Sequence, residues 1–507
     1  MGRTICIIGA SSNGVGVLGN LVRDASDVDS VTLIDPMAPG RGPAFNPEDR
    51  LMRCNTSAAI NSLIADEPND FLDYLASSGQ PAKAESIVPR DLVGEYVRTR
   101  YRQYAERAAS RGIHVTHHAA RATAIRIVDH GRCEVLLDDG PSQEFDRVVV
   151  SIGFNSYKVA AGFAPYQHHP RLLASPFPVP QLRQRLTRPN SRVLVLGTGQ
   201  SAVDAAIALC HDGHQVTMAS RTGLLPAVRD RLVPAPATIP SLTEITALDP
   251  DDPLLGLKIA RIVVRAIRTV SHIPLREQLS FADDATLRLR EEVELLETGR
   301  SSWQTIIFPL VDQVIAWTVG LPPAKQRDLL TAYRHVTWRY ASSMVAENAR
   351  ALIRHIDAGQ LEVSSYNPAR VIARDAGFDV DLHRRGQQSF DYVVTAVGFN
   401  PPVLHIDDRT VYLTDPPPAA TALDHLDNDL RVRLDRCARP ENIWLVGQTT
   451  HIHTFWAHIL ALNSIQAHKV ARQLSASTDS TIPQESKRSA GQAPDTIIMP
   501  ATWNSYR

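Results

Sequence analysis

Two widely separated glycine-rich turns carry the residues of this chain that are best suited to chemistry. Each turn connects an apolar run, typical of a buried strand, to a predicted helix. The small residues of the two turns are Gly9, Ser11 and Gly14 in the first and Gly197, Gly199, Ser201 and Ala202 in the second. A strand that ends in such a turn directs backbone N–H groups and the positive end of a helix at one point, which suits a pyrophosphate. Two turns predict two dinucleotides, the requirement for moving a hydride from a nicotinamide to a flavin.

The residue that follows the next strand differs between the two units. In the first unit, residues 31–34 lead to Asp35, an acid placed to accept the 2′- and 3′-hydroxyls of an adenosine ribose. In the second unit, residues 215–219 lead to Ser220 and Arg221. An arginine there can donate charge-assisted hydrogen bonds to a 2′-phosphate, worth roughly 1.5–3 kcal/mol. Arg221 therefore favours NADPH by about 10- to 100-fold, with a solvated surface arginine as the alternative.

A group of histidines near the C-terminal end, His451, His453 and His458, raises the question of a metal site. The five-residue step from His453 to His458 places the two imidazoles on diverging faces of a helix. No Cys or Glu completes a ligand set nearby, so we predict no metal ion. His453 and Trp456 are candidates for lining the flavin or substrate cavity, and satisfied structural histidines are the alternative.

Length and composition limit the class of protein. A chain of 507 residues is long enough for two or three domains, and 44% apolar and 21% charged residues are ordinary for a globular protein. The formal net charge of −1 provides no global field to recruit nucleic acid or an anionic membrane. The sequence shows no signal peptide, no apolar stretch of bilayer-spanning length and no Cys-x-x-Cys pair, so we expect a cytoplasmic protein without a transmembrane segment.

The arrangement resembles the two-dinucleotide-binding flavoproteins, a superfamily that includes N-hydroxylating and Baeyer–Villiger monooxygenases and glutathione-reductase-like enzymes. More closely, the chain is similar to the bacterial FAD–NAD(P)-binding family, whose members carry Gly-Arg-Gly-x-Ala-[Tyr/Phe] after the second strand, here residues 40–45. Further shared landmarks are Cys54-Asn55 and the runs 89–96 and 220–226. The resemblance covers about residues 3–474 and is specific for fold and cofactors, not for substrate.

The resemblance implies which residues hold FAD. Gly9, Ser11, Gly14 and Asp35 would bind its adenosine diphosphate half, although Ser11 stands where a glycine is usual. The serine is small, and its hydroxyl could donate to a phosphate oxygen. The remaining candidates are Arg41 and Asn55, for the phosphates or the isoalloxazine, and the last turn, Gly447, Gln448 and Thr449, for the flavin. For Arg41 and Asn55 the alternative is an ordinary loop position.

The expected fold class is α/β, with two Rossmann-like dinucleotide-binding domains and a helical insertion in the second. Residues 1–160 and 390–474 would form the FAD-binding domain, and 185–389 the NAD(P)H-binding domain with its insert at 240–358. Apolar positions at three- and four-residue steps predict that the insert ends in one helix running from about Gln326 to Gly359. The tail at 475–507, rich in Ser, Thr, Pro and Gln, is predicted to be disordered.

Near-copies of one segment, Phe-Asp-x-Val-Val-x-x-x-Gly-Phe-Asn, occur at residues 145–155 and 390–400. A repeated strand that enters the same turn suggests two equivalent crossing points between the domains. Ordinary buried strands followed by a glycine turn are the alternative.

The resemblance further implies that NADPH reduces FAD and that the reduced flavin meets dioxygen. In the monooxygenase branch a C4a-hydroperoxyflavin transfers its distal oxygen to a nucleophilic small-molecule substrate. The sequence shows no clear acid–base constellation, so no catalytic residue is assigned and a substrate that is already nucleophilic is favoured: an amine or amino acid undergoing N-hydroxylation. Sulfur oxygenation, Baeyer–Villiger chemistry, a flavin dehydrogenase or reductase with another acceptor, and a non-catalytic FAD/NAD(P)-binding protein stay open, as does a homo-oligomer.

Overall fold

The computed structural model describes residues 2–24, 27–45, 50–154, 156–232, 239–318, 321–382, 386–424, 426–435, 439–452, 454, 456, 457 and 459–475. Three residues that the sequence predictions include lie outside the described residues: Asn155, the last residue of the first repeated segment, and the histidines His453 and His458. So does the predicted tail, except for residue 475.

Each glycine-rich turn lies in a strand–helix–strand unit, as the sequence pattern predicts: Arg3–Ile8, Ser12–Asp24 and Val28–Ile34 in the first, and Arg192–Leu196, Gln200–His211 and Gln215–Ser220 in the second. The strands are β1 (Arg3–Ile8), β2 (Val28–Ile34), β3 (His114–His118), β4 (Ala122–Ile127), β5 (Cys133–Leu137), β6 (Gln143–Phe145), β7 (Arg147–Val150), β8 (Ser156–Tyr157), β9 (Leu172–Leu173), β10 (Arg192–Leu196), β11 (Gln215–Ser220), β12 (Val228–Arg229), β13 (Met344–Val345), β14 (Leu361–Arg374), β15 (Gly377–Leu382), β16 (Gly386–Phe390), β17 (Tyr392–Thr395), β18 (Phe399–Asn400), β19 (His405–Asp407), β20 (Thr410–Tyr412), β21 (Thr421–Ala422) and β22 (Ile443–Leu445).

The α-helices are α1 (Ser12–Asp24), α2 (Asp70–Ser77), α3 (Arg90–Ser110), α4 (Val179–Arg185), α5 (Gln200–His211), α6 (Pro240–Thr243), α7 (Leu255–Val270), α8 (Ala285–Glu297), α9 (Ile307–Thr318), α10 (Pro323–Val336), α11 (Ala346–Asp357) and α12 (Leu460–Ser475). No helix within this part of the chain has the length and apolar character that spanning a membrane requires.

The first glycine turn follows the central strand of a parallel five-stranded sheet with the order β22-β7-β1-β2-β3. Residues 5–8 of β1, 148–150 of β7 and 443–445 of β22 are apolar and buried, as expected where helices cover both faces of a parallel sheet. Ile8, the last residue of β1, pairs with Ile34 and Val150, and Val150 pairs with Leu445. Because these strand ends are in register, the segments that follow β1, β2, β7 and β22 meet at one edge of the sheet.

The second glycine turn follows β10 in a seven-stranded sheet with the order β16-β15-β14-β11-β10-β17-β9. Strands β14, β11, β10, β17 and β9 run parallel, and β15 and β16 form an antiparallel extension. Leu196, at the end of β10, pairs with Ala219 and Thr395. Two sheets, one parallel and one mixed, each with a glycine turn at the carboxyl ends of its parallel strands, confirm the predicted α/β fold class.

The two near-copied segments lead into a two-stranded antiparallel ribbon formed by β8 and β18. Phe399 pairs there with Tyr157, and the rings of Phe154 and Phe399 stack with their centroids 4.4 Å apart. The chain thus leaves each parallel sheet through matching segments that contact one another. A further antiparallel sheet has the order β21-β19-β20-β4-β5-β6.

Helices α6 to α10 lie between β12 and β13, two short strands that pair in parallel. The prediction of one helix from about Gln326 to Gly359 is wrong. The structure has α10, a π-helical turn at Thr337–Ala341, strand β13 and then α11. The break occurs because Met344 and Val345 pair with Val228 and Arg229, a contact between distant parts of the chain.

Candidate functional site

The first turn is shaped by close approaches that only glycine permits. Gly9 has φ +95°, and a Cβ there would lie 2.8 Å from the carbonyl oxygen of Ser151. A Cβ on Gly14 would overlap the carbonyl oxygen of Gly9, so α1 lies directly against the turn. The N-terminal N–H groups of α1 consequently face the carboxyl edge of the sheet. This cradle fits the pyrophosphate of FAD, which a side chain at either glycine would obstruct.

Asp35 lies beside the first turn and holds it in place. The backbone N–H groups of Ala10 and Met37 donate to its two carboxylate oxygens at 2.8 Å each. The Asp35 backbone carbonyl lies 2.9 Å from Nε2 of His117 on β3. Each carboxylate oxygen keeps a further acceptor position, so both can still accept a ribose hydroxyl.

The loop that follows β2 covers the first turn. The Gly40 N–H donates to the Ala10 carbonyl at 2.8 Å, and a Cβ on Gly42 would lie 3.4 Å from Cβ of Ser11. Ser11 is thus part of the cradle wall. Arg41 is exposed between the two glycines. The geometry is compatible with the predicted phosphate contact of Arg41, which stays a prediction.

Helix α3 supports this loop and contributes a residue that the sequence analysis missed. A Cβ on Gly94 would overlap the carbonyl oxygen of Phe45, and four residues later Arg98 lies against Gly40. Nη1 of Arg98 is buried and has no hydrogen-bond partner within the described residues. A buried cationic donor without an acceptor, next to the cradle, fits a phosphate oxygen. The sequence pointed to this part of α3 only through the landmark run 89–96, which ends two residues before Arg98.

The last turn, after β22, contacts the first turn although they lie far apart in sequence. Gly447 has φ +72°, and a Cβ there would overlap the side-chain amide of Asn13, to which Asn463 donates at 3.1 Å. Gln448 is half-buried and Thr449 is buried. The structure therefore brings together two of the three turns predicted to hold cofactors. The Thr449 hydroxyl donates within the fold, to the carbonyls of Val150 and Val446 at 3.0 Å each.

The second turn has the same close approaches. Gly197 has φ +115°, and its Cβ would lie 2.5 Å from the carbonyl oxygen of Ala396. Gly199 caps α5, and a Cβ there would lie 3.3 Å from Nε1 of Trp338, in the π-helical turn of the helical insertion. Of the other predicted residues, Ala202 is buried and Ser201 is half-buried. The insertion thus closes over the second turn.

Arg221 extends from the end of β11, beside the second turn. It is exposed, and its charge acts on Tyr366 of β14: burial raises the pKa of Tyr366, and Arg221 opposes that shift. The Ser220 hydroxyl accepts from Thr198 at 3.1 Å and from the Gly223 N–H at 3.0 Å, which fixes the loop. An exposed guanidinium at this corner is available to a 2′-phosphate.

Arg229, a second missed residue, connects the two halves of the site. It is 2% exposed, and burial lowers its pKa to about 10. Its Nε donates to the Ser343 hydroxyl at 2.8 Å, and Nη2 donates to the backbone carbonyl of Asn55. Arg229 Nη1 and Asn55 Oδ1 are both buried without a hydrogen-bond partner among the described residues. Asn55 therefore lies at the junction where the segment between β2 and α2 meets the unit that contains the second glycine turn.

Glu292 and Arg339 form a buried ion pair behind this junction. Arg339 also donates to the Leu225 carbonyl at 2.6 Å, and Glu292 accepts from the Val228 N–H at 3.0 Å. Burial raises the pKa of Glu292, and Arg339 opposes that shift. The pair fixes the π-helical turn, and with it Trp338, to the segment that carries Arg229.

Trp456 follows the last turn and lines an apolar cavity with residues of the insertion. His451 is half-buried, its Nδ1 lies 3.1 Å from the Gln448 carbonyl, and burial lowers its pKa. Across the part of the chain that the structure describes, no three His, Cys, Asp or Glu side chains are arranged to hold a metal ion.

Comparisons with known proteins support this interpretation of the first unit and of the fold. Residues 6–155 match the model of a family described as FAD-NAD(P)-binding. The search of curated proteins found no match.

Solved structures with the same fold include an ornithine hydroxylase from Pseudomonas aeruginosa, at 14% identity and a TM-score of 0.56, with 94% of this chain and 99% of that chain covered. The ornithine N-hydroxylase of Kutzneria sp. 744, named with reduced FAD, NADP+ and L-ornithine, is 15% identical with the same TM-score and coverage. The FAD-bound cadaverine monooxygenase of Erwinia amylovora is 14% identical, with a TM-score of 0.53 and 97% and 100% covered. At this identity the likeness establishes the fold.

Proposed function

We propose that this protein is an FAD-dependent, NADPH-using monooxygenase that oxygenates a small nucleophilic substrate, with N-hydroxylation of an amine as the favoured reaction. Support comes from two glycine turns at the carboxyl ends of the parallel strands of two sheets and from the match of residues 6–155 to an FAD-NAD(P)-binding family. The similar structures named above act, by their names, on ornithine and on cadaverine, which are both amines.

One segment, Thr337–Ser343, carries the proposal because it contacts both cofactor regions. Trp338 lies against Gly199 of the second turn. Ser343 accepts from Arg229, which donates to the Asn55 carbonyl on the FAD side. The π-helical turn ends at Ala341, and Ser343 follows only two residues later. The two cofactor regions thus adjoin through this segment and Arg229, which supports a reaction in which two electrons pass between them.

The described residues assign a task to each part of the site. The cradle of Gly9, Gly14 and Gly447 would hold the diphosphate of FAD, with Arg98 donating to it, and Arg221 would hold the 2′-phosphate of NADPH. Bound FAD would supply hydride acceptance and oxygen activation, chemistry that side chains lack. The insertion, through Trp338, would exclude water from the nicotinamide. Asn55 and Arg229 offer an acceptor and a donor at the junction that have no partner in the described part of the chain.

Flavin absorbance and oxygen uptake test the proposal. We expect anaerobic NADPH to bleach the flavin of the purified protein, because the two cofactor regions adjoin. We expect amines to stimulate oxygen uptake and to yield hydroxylamine products. Flavin that NADPH does not bleach would favour a non-catalytic binding protein. Bleached flavin that is reoxidised only by a quinone or a dye would favour a dehydrogenase.

The coenzyme preference is tested at Arg221. Arg221→Ala should raise the KM for NADPH about 10- to 100-fold, because each charge-assisted hydrogen bond to the 2′-phosphate is worth roughly 1.5–3 kcal/mol. The KM for NADH should stay nearly constant. Steady-state flavin reduction with both coenzymes measures this, and Arg261→Ala, at an exposed arginine on α7, is the matched control. Equal loss with NADPH and NADH would refute the assignment.

A further inference from the structure

An apolar cavity of about 270 Å³ lies inside the helical insertion. Its walls come mainly from α7, α9, α10 and the π-helical turn, with Val263, Val314 and Tyr340 among the lining residues. An apolar cavity of about 150 Å³ can hold benzene, so this cavity has room for roughly ten carbon atoms. Water gains few hydrogen bonds in such a space, which therefore suits an apolar ligand.

The cavity extends to the cofactor side through Trp456. This residue lies between the last turn and α12, and it is a wall of the cavity. Trp456 has φ +54°, a conformation that is costly for a bulky side chain and persists only where the surroundings enforce it. Such residues concentrate at functional sites. The cavity and the segment next to the flavin region thus share a strained aromatic wall.

A smaller cavity adjoins the large one and adds an acidic group. The two share the walls Ile307, Val311, Ala341 and Trp456, and the smaller one also reaches Asp312 of α9. Burial raises the pKa of Asp312 to about 6. No hydrogen bond or ion pair of its carboxylate is found among the described residues. A cation placed beside it would relieve the cost of burying the carboxylate.

We propose that the substrate is an amine with an apolar group of roughly ten carbon atoms, bound with this group in the large cavity and its ammonium beside Asp312, whose carboxylate can accept the proton that the nitrogen loses before it is oxygenated. The inference rests on the proposed function, because it names the substrate class of that oxygenation. It differs from the short, polar amines in the names of the similar structures. The inference depends on the size and the apolar lining of the large cavity. The cavity wall provides almost no polar partner for a second charged group of the substrate.

Displacement of a fluorescent apolar probe, N-phenyl-1-naphthylamine, from the FAD-loaded protein tests the inference without turnover. Primary n-alkylamines from two to fourteen carbons would be titrated. We expect the dissociation constant to fall about fourfold for each methylene. The dissociation constant should stop falling near the tenth carbon, where the cavity is full. In Val263→Phe it should stop falling several carbons earlier. In Val264→Phe, a change on α7 outside the cavity wall, it should stop at the same chain length as in the unchanged protein.

A second variant tests the acidic group. Asp312→Asn should weaken binding of the alkylamines about tenfold and leave binding of the matching 1-alkanols unchanged, because only the amines carry a charge. Affinity that is independent of chain length, or unaffected by Val263→Phe, would overturn the inference. Equal displacement by ornithine or cadaverine would also overturn it. Failure of NADPH to bleach the flavin would count against the proposed function alone, since probe displacement needs no reduction.

Discussion

Gly14→Ala is expected to yield purified protein that lacks FAD. The added Cβ would overlap the carbonyl oxygen of Gly9, a backbone atom that cannot rotate away, and would lie 3.2 Å from Cγ2 of Ile7. Helix α1 would have to move away from β1, taking its N-terminal N–H groups with it. Loss of two charge-assisted hydrogen bonds to a phosphate, at roughly 1.5 kcal/mol each or more, weakens FAD binding at least about 100-fold.

The matched control is Gly16→Ala in the same helix. A Cβ at Gly16 would lie 3.4 Å from the Leu63 carbonyl and 3.7 Å from Cβ of Ala467, which is ordinary contact. This variant should keep its FAD, and the better helix propensity of alanine can add up to about 1 kcal/mol to the free energy of unfolding. Flavin-to-protein absorbance and titration of apoprotein with FAD measure both variants. Full FAD occupancy in Gly14→Ala would show that the cradle does not hold the pyrophosphate.

Glu292→Ala should lower the free energy of unfolding of the second unit by about 3–5 kcal/mol. The substitution leaves Arg339 buried without its counter-ion and the Val228 N–H without its acceptor. The free-energy cost of leaving a charge buried without its partner far exceeds the cost of losing an exposed ion pair. Because the same ion pair fixes the π-helical turn, Trp338 should also lose its position against Gly199. The KM for NADPH should therefore rise, while FAD content stays normal.

Chemical unfolding followed by far-UV circular dichroism, together with NADPH titration, measures this effect. Glu297→Ala is the control, since Glu297 pairs with Arg350 at 3.0 Å with both side chains about half exposed. An exposed pair contributes less than about 1 kcal/mol. Equal destabilisation by the two variants would contradict the role assigned to the buried pair.

The sequence was most informative where the chemistry is local. Gly9, Gly14 and Asp35 are separated by one strand–helix–strand unit, and parallel pairing places the ends of its strands at one edge. The fold class and the FAD–NAD(P)-binding character follow from such units and are confirmed. The contact of Gly447 with Asn13 was beyond the sequence, because it depends on how β22 inserts beside β7.

The residues that sequence analysis missed are those whose role is set by tertiary packing. Arg229 and Arg339 look like surface arginines in the sequence, and their burial depends on contacts with distant parts of the chain: Arg229 with Ser343 and Asn55, and Arg339 with Glu292 and Leu225. The pairing of β12 with β13 interrupts the helix predicted from Gln326 to Gly359, whose apolar periodicity continues across the break. Local periodicity reports which side of an element is apolar, not where a distant strand will intervene.

The position of β22 has a consequence for biosynthesis. The five-stranded sheet gains this strand only after Ile443–Leu445 has been translated, although β7 is complete at Val150. At about 5–20 residues per second, a ribosome needs roughly 15–60 s for the intervening segment. Throughout that interval the nascent chain carries an unpaired apolar strand edge, a template for wrong partners. Chaperone occupancy during synthesis should consequently be concentrated on the N-terminal third and should end once β22 emerges.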